Sequence, residues 1–120
     1  MMMYGGLSGD GSPLYQNQEF AEKTDFGRGI AYPMLAAAMA GGAIARLLPT
    51  GSFCRRREFT VCAPFYVGDT VTVTARLVRL DRERREAHIE LAGFCQRGEQ
   101  VFFGSSREEL VLEKEGEESR

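Results

Sequence analysis

Cysteine is scarce in this chain, and Cys54, Cys62 and Cys95 are its only three. An odd number leaves one thiol over in any disulfide scheme, and no two of them form a CxxC pair. They read as buried thiols of a reducing compartment, with neither a metal nor a redox role. Excess charge is lacking too. Fifteen Lys and Arg stand against seventeen Asp and Glu, a formal net charge of -2, so there is no electrostatic reason to expect nucleic acid as a partner. The start, Met1-Met2-Met3-Tyr4-Gly5-Gly6, has neither the basic region nor the apolar run of a secretory signal, and the cytoplasm is the default expectation. Long apolar runs are also missing. The best, PMLAAAMAGGAIARLL from Pro33 to Leu48, is interrupted by Gly41-Gly42 and carries Arg46; it is too short and broken to span a membrane. No internal repeat is visible.

What is present is the mixture of a globular domain, 43% hydrophobic and 27% charged over 120 residues, enough for one packed core. Pro33 to Leu48 is expected to be a helix, with Pro33 in its first turn and Pro49 and Gly51 ending it. Being apolar on nearly every side, it is expected to be central and buried. From Phe53 the period changes to two. Phe53, Arg55, Arg57, Phe59, Val61 and Ala63 fall on one face of a strand, and Cys54, Arg56, Glu58, Thr60 and Cys62 on the other. Further strands are expected over 70–80, with Val71, Val73, Ala75 and Leu77 aligned, over 87–94 with Ile89 and Leu91 inward, and over 100–112. The turns at 81–86 and 96–99 join them, the second through Gly98. The fold class is α+β, an antiparallel meander of at least four strands curved around one helix. One domain is expected over residues 1–112, followed by a charged, frayed tail over 113–120.

Two segments carry a resemblance. The first is Leu7-Ser8-Gly9-Asp10-Gly11-Ser12-Pro13-Leu14-Tyr15, followed by Phe20-Ala21 and then Phe26-Gly27-Arg28-Gly29-Ile30-Ala31-Tyr32-Pro33-Met34-Leu35. The second is Phe59 to Asp69, FTVCAPFYVGD, leading into the clearest strand. Together they resemble the MaoC-like (R)-specific enoyl-CoA hydratase and 3-hydroxyacyl thioester dehydratase family. Its patterns read LSGDxNPLH, FA, FGxxIxHGML and FxxPVxxGD. The resemblance covers about Leu7 to Leu112 and implies the hotdog fold. It also implies an acyl thioester of coenzyme A or of an acyl-carrier protein as ligand, and a homodimer or a heterodimer with another hotdog subunit. No cofactor and no metal are implied. Family members usually place a strand and a helix before the first motif, so the N-terminal strand is expected to be missing here, either because the chain starts late or because the edge strand is truly absent; a truly absent strand would leave a sheet edge open to a partner chain.

The same alignment shows what has been lost. In active members an Asp and a His of the first motif activate water, and the backbone N–H of the Gly in HGM holds the thioester oxygen. This chain keeps the carboxylate as Asp10, but Tyr15 stands where the His belongs, Ser12 replaces the Asn, and HGM is Tyr32-Pro33-Met34. A phenol with a pKa of about 10 is a poor base at neutral pH, and losing a general base costs about 10²–10⁴ in rate. Pro33 has no N–H to offer an oxyanion, and one such donor is worth on the order of 10²–10³. Asp10 and Tyr15 are therefore the candidate catalytic groups, and Ser12, Tyr32, Pro33 and Met34 the candidate substrate-binding positions. His88, placed outward beside Glu90 by its period, offers no replacement base.

The function expected from this is acyl-thioester binding by a catalytically degenerate subunit of an enoyl hydratase or 3-hydroxyacyl dehydratase assembly, in fatty acid or polyketide metabolism. The alternative is an active hydratase with Asp10 as base and Tyr15 as acid, and thioesterase chemistry stands third because hotdog folds host it too. Met34, Met39, Phe20, Phe26 and Phe53 serve equally well as plain core or as acyl-tunnel lining. The arginine runs 55–57 and 82–85 either meet coenzyme phosphates or an acidic carrier, or form a solvated face.

Overall fold

The computed structural model describes residues 6–48 and 50–111; the expected tail over 113–120 and the first five residues lie outside them. After a helical stretch over the first described residues, 6–8, come two short helices, α1 (Pro13–Gln16) and α2 (Gln18–Glu22). Between them Asn17 accepts the Phe20 N–H through Oδ1 at 3.1 Å, the side-chain cap that lets α2 start one residue after α1 stops. Helix α3 (Leu35–Leu47) follows, and then β1 (Ser52–Val61), β2 (Val71–Asp81), β3 (Glu86–Cys95) and β4 (Gln100–Leu110).

All four strands form one antiparallel sheet in the order β1-β4-β3-β2. Strands β2, β3 and β4 are the expected meander. Strand β1 departs from it, crossing over to pair with β4, with Ser52 opposite Leu110 and Val61 opposite Phe102. The β2–β3 turn holds its shape through the Asp81 carboxylate, which accepts the Arg84 N–H at 3.1 Å. In the β3–β4 turn Gly98 takes φ +82°, the left-handed region that glycine enters without a steric penalty.

Helix α3 lies across the concave face. Its alanines bring it close, and Ala36, Ala40 and Ile44 are buried. Around its first turns they meet Phe65, Cys95, Val101 and Phe102, and further along Ala87, Ile89 and Leu91. Burying Phe102 and Ile89 completely contributes about 1.5–3 kcal/mol each. The Phe102 ring has room because Gly93 opposite has no side chain; a Cβ there would stand 2.1 Å from it.

Three expectations need correction. The helix is buried along one face only, because four strands cover one side of a rod; Ala38, Gly42 and Ala45 remain exposed. The strict alternation of β1 is broken by a bulge at Arg55, between Cys54 and Arg56. The parity changes there, so Ser52, Cys54, Arg57 and Phe59 share the inner face, while Phe53 turns outward under the Arg55 guanidinium. Finally, only Cys95 is a buried thiol. Cys54, on an edge strand, and Cys62, just past the end of that strand, are exposed.

Candidate active site

An apolar cleft of about 300 Å³ opens at the N-terminal end of α3. Leu14 and Tyr15 of α1, Phe26, Ile30, Ala31 and Pro33 form one wall, and Val61 to Phe65 the other. The walls are joined by a short antiparallel pairing. Ala31 N–H donates to Phe65 O at 2.8 Å, Val67 N–H donates to Gly29 O at 3.1 Å, and Ile30 bridges Tyr66. Larger hollows, one of about 680 Å³, lie on the outer face of the sheet among Glu58, Thr60, Phe103 and Ser105. Those are shallow spaces between exposed side chains, several of them ion-paired, and lack the apolar lining of a small-molecule site.

Of the six positions singled out in the sequence, Tyr15 and Pro33 line this cleft. Tyr32 lies beneath it, 1% exposed, and organises the others. Its Oη donates to the Asp10 carbonyl and accepts from Gln16 Nε2, both at 2.5 Å, and its ring packs against Tyr15 with centroids 4.4 Å apart. One phenol thus ties the loop carrying Asp10 and the helix carrying Tyr15 to the residue before Pro33. The Asp10 carboxylate accepts the Ser12 N–H at 3.2 Å, closing a turn on the exposed surface. That is the local hydrogen bonding an Asp makes in a turn, and it leaves the second oxygen open. Ser12 is half-buried and Met34 exposed.

At the start of α3 the amides of Leu35, Ala36 and Ala37 donate to Tyr32, Pro33 and Met34. Pro33 has no N–H, and the Met34 N–H makes no hydrogen bond among the described residues. Phe26 joins the cleft wall and Met39 packs against the core, whereas Phe20 and Phe53 are exposed and line neither. His88 faces away from α3, with Nε2 3.6 Å from Glu86 Oε1. The arginine run of β1 is engaged locally: Arg55 with Glu109, Arg56 with Glu58, Arg57 with Glu108. Among the described residues no group of three His, Cys, Asp or Glu side chains is placed to hold a metal ion, and no helix is long and apolar enough to cross a membrane.

One cluster beside the cleft escaped the sequence reading. Asp69, whose side chain is 2% exposed, accepts the Tyr66 N–H, Gln96 Nε2 and two N–H groups of Arg97, all at 2.9–3.1 Å. The Arg97 guanidinium outweighs the effect of burial and holds the carboxyl far below the usual carboxylate range. Its Gly68-Asp69 dipeptide matches a family motif, but nothing in the linear pattern foretold partners some thirty residues away.

The chain is similar to several known proteins. A 3-hydroxybutyryl-CoA dehydratase of Methylorubrum extorquens is 30% identical over 110 residues, 91% of this chain and 69% of its own length. An (R)-specific enoyl-CoA hydratase of Aeromonas caviae is 30% identical over 104 residues, 86% of this chain and 78% of its own. The solved (R)-hydratase from A. caviae, involved in PHA biosynthesis, superposes with a TM-score of 0.86 at 29% identity, covering 92% of this chain and 84% of that one. The HadBC (3R-hydroxyacyl-ACP dehydratase) complex of Mycobacterium tuberculosis, at 14% identity and a TM-score of 0.73 over 88% of this chain and 81% of that one, shares the fold. The fold is thus the hotdog fold. The family model for the MaoC like domain matches residues 1–92, and the chain belongs to this family of hydratases and dehydratases.

Proposed function

We propose that this chain binds an acyl thioester in the cleft beside α3 and serves as the catalytically degenerate subunit of an enoyl hydratase or 3-hydroxyacyl dehydratase assembly. The observation that carries the reading is the pair lining the cleft, Tyr15 and Pro33. A phenol stands where a neutral-pH base is needed, and an imino acid stands where an oxyanion needs a donor. The cleft itself is kept, apolar and of a size for a short acyl group. The ligand is a thioester of coenzyme A or of a carrier protein, as the CoA-named relatives suggest. A second hotdog chain is the expected partner, since α3 leaves Ala38, Gly42 and Ala45 uncovered and β1 and β2 are open sheet edges. The two-chain HadBC neighbour is a precedent for such an assembly.

One observation favours the second reading, an active hydratase using Asp10 as base and Tyr15 as acid. The Met34 N–H, one residue past Pro33, has no acceptor among the described residues and is the nearest substitute oxyanion donor. The two readings separate in one experiment. The purified chain is titrated with crotonyl-CoA while its mass is read under native conditions and loss of the enoyl absorbance is followed. Binding without turnover, with turnover appearing on addition of a hotdog chain that has intact Asp and His, is the expected result. A homodimer that hydrates crotonyl-CoA at a rate lost in Asp10→Ala decides for the second reading.

A further inference from the structure

The short pairing that closes the cleft continues outward into a charged cluster, and one member of it is ion-paired but donates no hydrogen bond among the described residues. Arg28, two residues before the cleft-lining Ile30, lays its guanidinium over the Tyr66 ring, 4.0 Å from the centroid. Its Nη2 is 3.5 Å from Asp69 Oδ1. Yet Asp69 has no acceptor capacity left. Oδ1 already takes Gln96 and Arg97, and Oδ2 takes the Tyr66 N–H and Arg97 again. A carboxylate offers about four lone-pair sites, and all are in use. Among the described residues Arg28 therefore donates no hydrogen bond, although its position is fixed by an aromatic face and a buried charge. Arg97, on the β3–β4 turn, converges on the same carboxylate with its side chain 43% exposed, and Arg28 is 53% exposed. The arginines of β1 contrast with Arg28, because each of them has an acidic partner in hydrogen-bond reach.

We propose that Arg28, with Arg97 beside it, is a phosphate-binding site for the pantetheine arm of the thioester. The proposal rests on the acyl-thioester reading above and adds to it the part of the ligand that this end of the cleft recognises. A planar guanidinium presents N–H pairs that match two phosphate oxygens, which an ammonium cannot do. Stacking on Tyr66 orients the group before the ligand arrives, so less side-chain freedom is lost on binding. The acyl chain would lie in the cleft that Ile30 and Phe65 line, and Arg28 and Tyr66 stand one or two residues further along the same paired segments. The 4′-phosphate is common to coenzyme A and to the prosthetic group of a carrier protein, so the site would serve either source.

The test compares dissociation constants of three saturated ligands: butyryl-pantetheine, butyryl-4′-phosphopantetheine and butyryl-CoA. Charge-assisted bonds to one phosphate predict tighter binding of butyryl-4′-phosphopantetheine than of butyryl-pantetheine by about 10- to 100-fold at low salt. Arg28→Ala should bring those two affinities together, and Arg28→Lys should restore only part of the gap. The fold is expected to survive either change, since Arg28 is half exposed and makes no hydrogen bond among the described residues, and a near-wild-type unfolding midpoint verifies it. Equal affinities in the wild type, or a gap that persists in Arg28→Ala, overturns the phosphate site while thioester binding stands. A gain found only with butyryl-CoA assigns the contact to the nucleotide and overturns it as well. Failure of all three to bind defeats the thioester reading itself, and this proposal with it.

Discussion

Replacing Glu108 by glutamine keeps the side-chain volume and removes the charge from the centre of the polar cluster beneath α3. Glu108 is 2% exposed and accepts from Ser52 Oγ at 2.7 Å, from Arg57 Nη2 at 3.1 Å and from Ser106 Oγ. Arg57 also reaches the Ala37 carbonyl with Nη1 at 3.3 Å, so this pair is the polar tie between sheet and helix. Removing one partner of a buried pair costs about 3–5 kcal/mol. The Arg57 side chain is 20% exposed, water reaches its guanidinium, and the cost is correspondingly lower, about 2–3 kcal/mol. In equilibrium urea unfolding, with a slope of about 1–3 kcal/mol per molar, the midpoint should fall by about 0.7–3 M. The pH dependence supplies an independent sign. Burial alone would raise the Glu108 carboxyl, but the hydroxyls of Ser106 and Ser52 and the Arg57 guanidinium outweigh it and hold it below its ordinary 4.5. The native state then binds fewer protons than the unfolded chain. The contribution is complete above the unfolded value and is lost as pH falls through the lower, folded one. Wild type should therefore lose stability on acidification below about pH 4.5 more steeply than Glu108→Gln; Asp69 titrates in both and cancels. A variant within about 0.5 kcal/mol of wild type, with the same acid profile, would refute the tie.

Other substitutions probe the strand pairing and the loop above the cleft. A Cβ on Gly104 would stand 2.0 Å from the Glu58 carbonyl and 2.7 Å from Phe59 Cα, so Gly104→Ala must push β1 away from β4. The expected loss is about 2–4 kcal/mol by thermal unfolding, and a wild-type midpoint would contradict the β1–β4 register. Gly93→Ala meets the Phe102 ring first, a side chain that can shift, and should cost less, about 1–3 kcal/mol. Tyr32→Phe removes the hydroxyl bonds to Asp10 and Gln16. Amide exchange over residues 10–16 should accelerate while global stability falls by about 1 kcal/mol, and unchanged exchange there would be the contrary result.

Much of the architecture was legible where one physical signal dominates. Helix α3 could be read from Pro33 and an apolar run of helix formers, and β3 from strict alternation, with Ile89 and Leu91 inward as expected. The chain order β2-β3-β4 followed from two short polar turns. Bulges were not legible. An extra residue at Arg55 reverses every inference drawn from parity on its far side, which is why Phe53 was expected inward and is 56% exposed. The second bulge, at Val78, ends the alternation of β2, and Leu77 and Leu80 stay exposed. Long-range polar pairing was equally hidden. Arg57 and Arg56 look alike in a run of three, and only the fold sets Arg57 against the buried Glu108 and leaves Arg56 on the exposed Glu58. At the cleft, Tyr15 and Pro33 were found by motif. Tyr32 as organiser, and Asp69 with its two arginines, depended on contacts spanning 16 to 41 residues of chain that no local pattern encodes.

We propose that this chain lacks the base and the oxyanion donor it would need to hydrate an enoyl thioester unaided. Restoring both in Tyr15→His/Pro33→Gly, and following crotonyl-CoA hydration by loss of enoyl absorbance, tests it most directly. The double variant is expected to turn over at a rate at least on the order of 10²-fold above the wild-type chain. A wild-type chain that already hydrates crotonyl-CoA as fast as the double variant would contradict it.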